Sequence, residues 1–242
     1  MKNAVWHHAF VLHRRPYRET SYLIDFFTLE QGKVSAVAKG VRNSKGDKKS
    51  LLQPFQQIRV QFSGKSELKN LNQTEAFQPA LPLTAQALFC GMYVNEVMNR
   101  VMPVGLASET LYEAYTEALG NLLTSPDIEL SLRQFELALL EDMGQLGSFT
   151  EVGDSGAPVR ENAGYGWLSE VGIAEAARCP GMPAIPGYAL LALAQGEWTP
   201  AAKKAAKLIN REALKPLLGS KPLKSRELFI RMQPPSGRKV SQ

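Results

Sequence analysis

Along the first 80 residues the apolar positions recur with a period of two. Ile58, Val60 and Phe62 alternate with Gln57, Arg59, Gln61 and Ser63, which turns one face of an extended segment towards a core. Val34, Ala36 and Ala38 alternate more weakly with Lys33, Ser35 and Lys39. With residues 9–12, 21–27 and 68–77 these segments predict about five strands, separated by turns at Arg15-Pro16, Gln31-Gly32 and Ser63-Gly64. Five short strands in so little chain predict a small barrel, because closure removes the unpaired edges of an open sheet. An OB-fold is the expected barrel and an SH3-like barrel the alternative.

The two prolines of Phe77-Gln-Pro-Ala-Leu-Pro82 interrupt both the strand and the helix period, so the expected domains are residues 1–80 and 81–242. Beyond them the pattern is helical. A strongly apolar helix is predicted over 85–101, and a second over 109–123 with Ser108 as its cap. Ser125-Pro126-Asp127 reads as N-cap, first-position proline and first-turn acid of a helix reaching about Met143. Thr199-Pro200 repeats that signature, and Gly219 closes the helix it opens. Residues 147–187, rich in Gly and Pro and weakly periodic, are expected to be an irregular insertion. The fold class is α+β, a five-stranded barrel followed by a mainly α-helical domain.

Composition narrows the class. At 44% apolar and 21% charged residues the chain is an ordinary globular protein and not a disordered one. Two cysteines are too few for a disulfide scaffold and fit a reducing compartment. No apolar run approaches the roughly 20 residues that span a bilayer. The start MKNAVWHHAF lacks the apolar core and cleavage site of a signal peptide. A soluble cytoplasmic protein is expected, with no membrane partner.

The net charge of +5 conceals a segregation. Residues 1–80 carry 13 basic and 6 acidic side chains, residues 81–150 carry 2 and 9, residues 151–200 carry 2 and 6, and residues 201–242 carry 11 and 2. A basic head and a basic tail flank an acidic middle. Such blocks select partners, although a solvated surface has the same composition.

Catalysis finds no support. The three His are His7, His8 and His13, and no paired metal ligands or nucleophile elbow occur. Gly64-Lys65-Ser66 resembles the end of a phosphate-binding loop, but Arg59 stands where its first Gly belongs, and the segment joins two strands. It reads as a hairpin turn. No cofactor and no catalytic residue are expected.

The basic positions are more informative. Lys39, Arg42, Lys45, Lys48 and Lys49 fall in a loop opposed only by Asp47, and flexible cations there can follow a phosphate backbone without reading sequence. Arg14, Arg15 and Arg18 cluster after the first strand, beside Tyr17, the best candidate for stacking on a base. Phe10 and at least one of Phe26 and Phe27 are expected in the core. Lys203, Lys207, Arg211 and Lys215 recur every four residues and form one stripe of the helix over 200–218. Lys221, Lys224 and Arg226 extend it along a basic tail over 200–231. The stripe is either a solvated face or a second nucleic-acid contact. Arg133 stands alone among Leu130, Leu132, Phe135, Leu137 and Leu139. It either receives a partner's carboxylate beside an apolar anchor or pairs locally with Glu129 or Glu136.

Several stretches resemble the RecO family of DNA recombination and repair mediators. They are residues 10–28 (FVLHRRPYRETSYLIDFFT), Gly32-Lys-Val, Ala38-Lys-Gly-Val-Arg42, Leu52-Gln-Pro-Phe55, residues 133–140 (RQFELALL) and residues 218–229 (LGSKPLKSRELF). They recur in order over residues 9–229, leaving out mainly 150–200. The resemblance implies an N-terminal OB-fold and a helical domain. It also implies a protein without ATPase activity that binds single- and double-stranded DNA and anneals complementary strands. With RecR, such proteins help load RecA onto strands coated by single-stranded-DNA-binding protein, whose acidic tail the helical domain engages; Arg133 is the candidate receptor. The alternative from another class is an OB-fold factor acting on structured RNA.

Many members of that family carry two Cys-x-x-Cys pairs in the insertion, which form a four-thiolate zinc site. Here Val152 and Ser155 fall at the first pair, and Cys179-Pro-Gly-Met182 looks like a degenerate second. The insertion is therefore expected to be a degenerate zinc ribbon without metal, and Cys90 a buried thiol.

Overall fold

The computed structural model describes residues 5–43 and 48–232, so Lys45 and Asp47 lie outside the described residues. The alternating segments form β1 (His7–Tyr17), β2 (Ser21–Thr28), β3 (Gly32–Ala38), β4 (Ile58–Ser63) and β5 (Lys69–Ala76). They close into a barrel in the order β1-β2-β3-β5-β4. β3 meets β5 in parallel at Ala36–Lys69 and Val37–Asn70, and every other pair is antiparallel. This is the expected OB-like barrel. Its interior is filled by Ala9, Val11, Ile24, Phe26, Ala36, Ile58 and Val60, with Leu52, just after the four-residue helix α1 (Lys48–Leu51), packed among them. Phe10, Phe26 and Phe27 are all buried.

One turn differs from expectation. Pro16 stays within β1, paired with Tyr22, and the chain reverses only at residues 18–20, where Arg18 takes a φ of 52°. Proline is tolerated there because the end of a hairpin strand asks little of its missing N–H. A register shift between Val11 and His13 bends the strand before it leaves the core.

By proximity the chain divides into two compact units. One holds the described residues up to 107, residues 122–124 and those from 220 on; the other holds 108–121 and 125–219.

In the first unit α2 (Ala85–Val101) packs on β1. Its buried Asn95 donates to the carbonyls of Val11 (3.2 Å) and Leu12 (3.3 Å). Lys33 on β3 donates to Asn99 O (2.6 Å) and Met102 O (3.0 Å), carbonyls that the last turn of α2 leaves open. Burial pushes the Lys33 pKa down, and the nearby Asp25 carboxylate opposes that. Gly32 precedes Lys33 with a φ of 63°, and a Cβ there would sit 1.9 Å from Leu106 O. Only glycine lets that linker lie so close to the strand. The C-terminal helix α7 (Lys224–Met232) also belongs to this unit and packs on α2.

The second unit contains α3 (Glu109–Thr124, apart from its last three residues), α4 (Ile128–Asp142), α5 (Gly187–Ala194) and α6 (Pro200–Leu218). Ser108 and Thr199 cap α3 and α6 as expected, accepting from Leu111 N and Ala202 N at 3.1 Å each. α4 starts later than the proline suggested. Asp127, not Ser125, is its N-cap, accepting from Leu130 N at 2.9 Å, while Ser125 Oγ accepts from Asp127 N in the preceding turn. The insertion is more regular than its composition implied. β6 (Gly164–Leu168), β7 (Gly172–Glu175) and β8 (Ile185–Pro186) form a sheet in the order β7-β6-β8, with a single 3₁₀ turn at Ala176–Arg178.

Candidate nucleic-acid interface

The basic residues of the barrel have different surroundings. Arg14 is half-buried; its Nη1 donates to Leu52 O at 3.0 Å and its guanidinium lies 4.6 Å from the centre of the Tyr22 ring. Through Nη1 it ties β1 to α1 and the residue that follows it, which gives it a role inside the fold. Arg15 is exposed. Tyr17 is half-buried, and the guanidinium of Arg18 stands 5.3 Å from its ring centre. A base reaching Tyr17 would find an aromatic face already flanked by a cation. Tyr17, Arg18, Glu19, Val37 and Lys39 line an open hollow at this end of the barrel. Arg42, Lys48 and Lys49 are exposed, and none of Arg15, Lys39, Arg42, Lys48 and Lys49 is ion-paired with another described residue.

Beside Arg15, Asp25 organises the outer face of β2. Burial works to raise its pKa, but hydrogen bonds with His13 and from Ser35 Oγ (2.6 Å) prevail and hold it below the ordinary aspartate value.

The stripe on α6 faces acids. Lys203 Nζ lies 2.7 Å from Asp127 Oδ2, Lys207 Nζ 2.8 Å from Glu129 Oε1, and Arg211 Nε 3.0 Å from Glu212 Oε1. Lys215 approaches the same Glu212 at 4.0 Å. The hydrogen bonds from Lys203 and Lys207 lead in lowering the pKa values of Asp127 and Glu129. Lys203 and Lys207 thus match acids at the start of α4, while Arg211 and Lys215 share Glu212 of α6 itself.

Lys221, Lys224 and Arg226 are exposed, but the backbone that carries them is held firmly. Glu96 on α2 accepts from Lys224 N (3.0 Å), Ser225 N (2.9 Å) and Ser225 Oγ (2.7 Å). Arg100, one turn on, donates to Glu96 (2.6 Å), Lys221 O (2.6 Å) and Pro222 O (2.8 Å). Burial raises the Glu96 pKa, and the donors of Ser225 and Lys224, with the Arg100 charge, outweigh it and leave the carboxyl low. Sequence reasoning passed over Glu96 and Arg100. Their i,i+4 spacing was a signal, but nothing local said that the tail would return to meet them.

Arg133 is paired. Its side chain is 13% exposed and its Nη1 lies 2.9 Å from Glu136 Oε2, on a carboxylate that is itself only 2% exposed. Asn210 on α6 donates to the same carboxylate oxygen (2.9 Å) and to Arg133 O (3.2 Å). The Nε of Arg133 is buried without a hydrogen-bond partner.

The four positions of the family's zinc site do not fit a metal. Val152 is apolar and buried, and Met182 Sδ accepts a hydrogen bond from Trp167 N at 3.3 Å. Burial raises the pKa of the Cys179 thiol, away from the thiolate that zinc requires. Arg178 and Asp154 pair with each other beside these positions. Cys90 and Cys179 are both buried, and neither is in a disulfide.

No helix among the described residues is long and apolar enough to cross a membrane.

Comparison with known proteins agrees with this architecture. The family described as "Recombination protein O N terminal" matches residues 1–80, and "Recombination protein O C terminal" matches residues 83–227. A protein of Alteromonas mediterranea described as "DNA repair protein RecO" is 57% identical over 229 residues, covering 94% of this chain and 98% of its own. Proteins of the same description from Pseudoalteromonas atlantica and Proteus mirabilis are 46% and 42% identical, covering 91% and 93% of this chain and 92% of each of their own. With a matching barrel, a matching helical region and relatives aligned nearly end to end, the chain belongs to the RecO family.

Proposed function

We propose that this protein is a non-catalytic DNA repair and recombination mediator whose barrel holds DNA through Arg15, Tyr17, Lys39, Arg42, Lys48 and Lys49. The observation that carries this reading is the set of exposed barrel cations without a described ion-pair partner, on a chain of the RecO family. Cations left unpaired can release the counterions condensed on DNA, the main source of sequence-independent affinity. By screening phosphate repulsion, such a surface lets two complementary strands pair without ATP. Its relatives are described as DNA repair proteins, which favours DNA over structured RNA. The wider role follows the family likeness: acting with RecR in the cytoplasm, at the nucleoid, to load RecA onto strands coated by single-stranded-DNA-binding protein.

A strand-pairing assay with fluorescent complementary oligonucleotides tests the central step. Addition of the protein at low salt accelerates pairing, and the effect fades as salt rises. An unchanged pairing rate at low salt, with bare and with coated strands, refutes it.

Arg133 serves this function as the receptor for the acidic tail of the coating protein. A guanidinium carries five donors; the contact to Glu136 uses one nitrogen, and the side chain keeps 13% of its surface exposed. Arg133→Ala weakens binding of a fluorescent tail peptide; unchanged affinity would sink the assignment.

A further inference from the structure

We infer that Glu96 is a positioning residue for DNA binding: with Arg100 it clamps the start of α7 onto α2, so that Lys221, Lys224 and Arg226 belong to the surface of the barrel unit. The inference rests on the DNA-binding reading above and adds an acid to it.

The clamp is built from both kinds of backbone group. Glu96 takes the donors of residues 224 and 225, and Arg100 gives to the carbonyls of residues 221 and 222. Lys224 and Ser225 lie at the helix start, where N–H groups have no intrahelical acceptor, and a carboxylate there also meets the positive end of the helix dipole. Ser225 is buried by this contact, whereas Lys221, Lys224 and Arg226 remain exposed. The frame is shared with the barrel. Asn95, the neighbour of Glu96, holds Val11 and Leu12, and β1 continues from there to Arg15. One turn of α2 thus fixes the strand carrying Arg15 and the turn carrying three further cations.

This arrangement makes a prediction opposite to that of simple charge counting. Removing an acid from a DNA-binding protein ordinarily strengthens binding. If Glu96 positions α7, its removal weakens binding, because three cations lose their common placement. Glu96→Ala and Glu96→Gln remove the same charge, but glutamine keeps an oxygen that can accept from residues 224 and 225.

The experiment measures the affinity of the full chain for a fluorescent single-stranded oligonucleotide across a salt series, with folding checked by circular dichroism. Glu96→Ala lowers affinity roughly three- to tenfold and reduces the salt slope by about 2. Glu96→Gln falls between it and the native protein. The triple replacement of Lys221, Lys224 and Arg226 by Ala reproduces the loss, and Glu96→Ala adds little to it. Affinity equal to or above native in Glu96→Gln, or native affinity in the triple variant, overturns the inference. The triple variant alters only exposed side chains and decides the matter even where Glu96→Ala does not fold. Loss of affinity in Arg15→Ala with Lys39→Ala, beside native affinity in the α7 variants, leaves the DNA-binding reading standing without the clamp. No measurable DNA binding by the native chain defeats both.

Discussion

Lys203 on α6 reaches Asp127, the N-cap of α4, with Nζ 2.7 Å from Oδ2. A carboxylate that already accepts from the helix backbone thus holds a lysine whose spacing alone leaves a solvated face and a nucleic-acid contact equally open. A cation paired in the free protein must break that pair before it can neutralise a phosphate, so it adds little to counterion release. Replacing Lys203 and Lys207 with Ala therefore changes the salt slope of DNA binding by less than about 0.5, whereas replacing Arg15 and Lys39 lowers it by about 2. Equal effects of the two double variants would put α6 on the DNA.

Arg14 acts mainly within the fold. Its Nη1 donates to Leu52 O at 3.0 Å, and its plane lies over Tyr22. Arg14→Ala destabilises the protein by roughly 1–2 kcal/mol, since a buried carbonyl loses a charged donor. Arg14→Lys keeps the charge but not the planar fork, and recovers only part of that loss. Urea denaturation reads both, and a native midpoint in Arg14→Ala contradicts the structural role.

Gly91 on α2 is buried where a Cβ would lie 2.9 Å from Leu83 Cδ1 and 2.9 Å from Phe55 Cε1. Alanine is the better helix former by about 1 kcal/mol. Overpacking of this kind nonetheless costs about 1–3 kcal/mol, because Leu83 and Phe55 are both buried and have little room to retreat. Gly91→Ala lowers the melting temperature. A rise would mean that the neighbours give way freely.

Asp25 links acid stability to the barrel. His13, Arg15, Lys33 and Ser35 face it, and its pKa lies below the ordinary 3.8. A lowered folded pKa contributes stability that is fully present above the unfolded value and is lost as pH falls through the folded one. The native protein is therefore more stable than Asp25→Asn at neutral pH, and the gap closes below about pH 4. Urea midpoints from neutral pH downwards check this; a gap that persists undiminished at about pH 3 overturns it.

Much of the site was legible because its placement is local. Lys39 stands just past β3, whose alternation the sequence displays, whereas Arg15, expected after the first strand, lies within the longer β1. Arg133 was legible as an anomaly, one cation on an apolar-rich helix, but not its partner. Glu129 and Glu136 lie four and three residues away, and helix geometry allows either. Burial beside Asn210 selects Glu136. The insertion departs from expectation for a related reason. Its glycines and prolines look irregular, yet Gly166 is needed where a Cβ would lie 2.5 Å from Cys179 Cβ, a close approach that composition cannot reveal.

By itself the sequence determined the barrel strands, the helices with the caps Ser108 and Thr199, and the blocks of charge, since each depends on residues a few positions apart. Only the tertiary structure decided what the charges do. Lys203 meets an acid 76 residues away, and the tail meets Glu96 across 129. Such pairings depend on which helix faces pack together, and that is set by the apolar positions of elements distant in the chain. The basic tail was one block in the sequence. Packing divides it into an α6 stripe whose Lys203 and Lys207 meet the acids at the start of α4 and an α7 start clamped to α2.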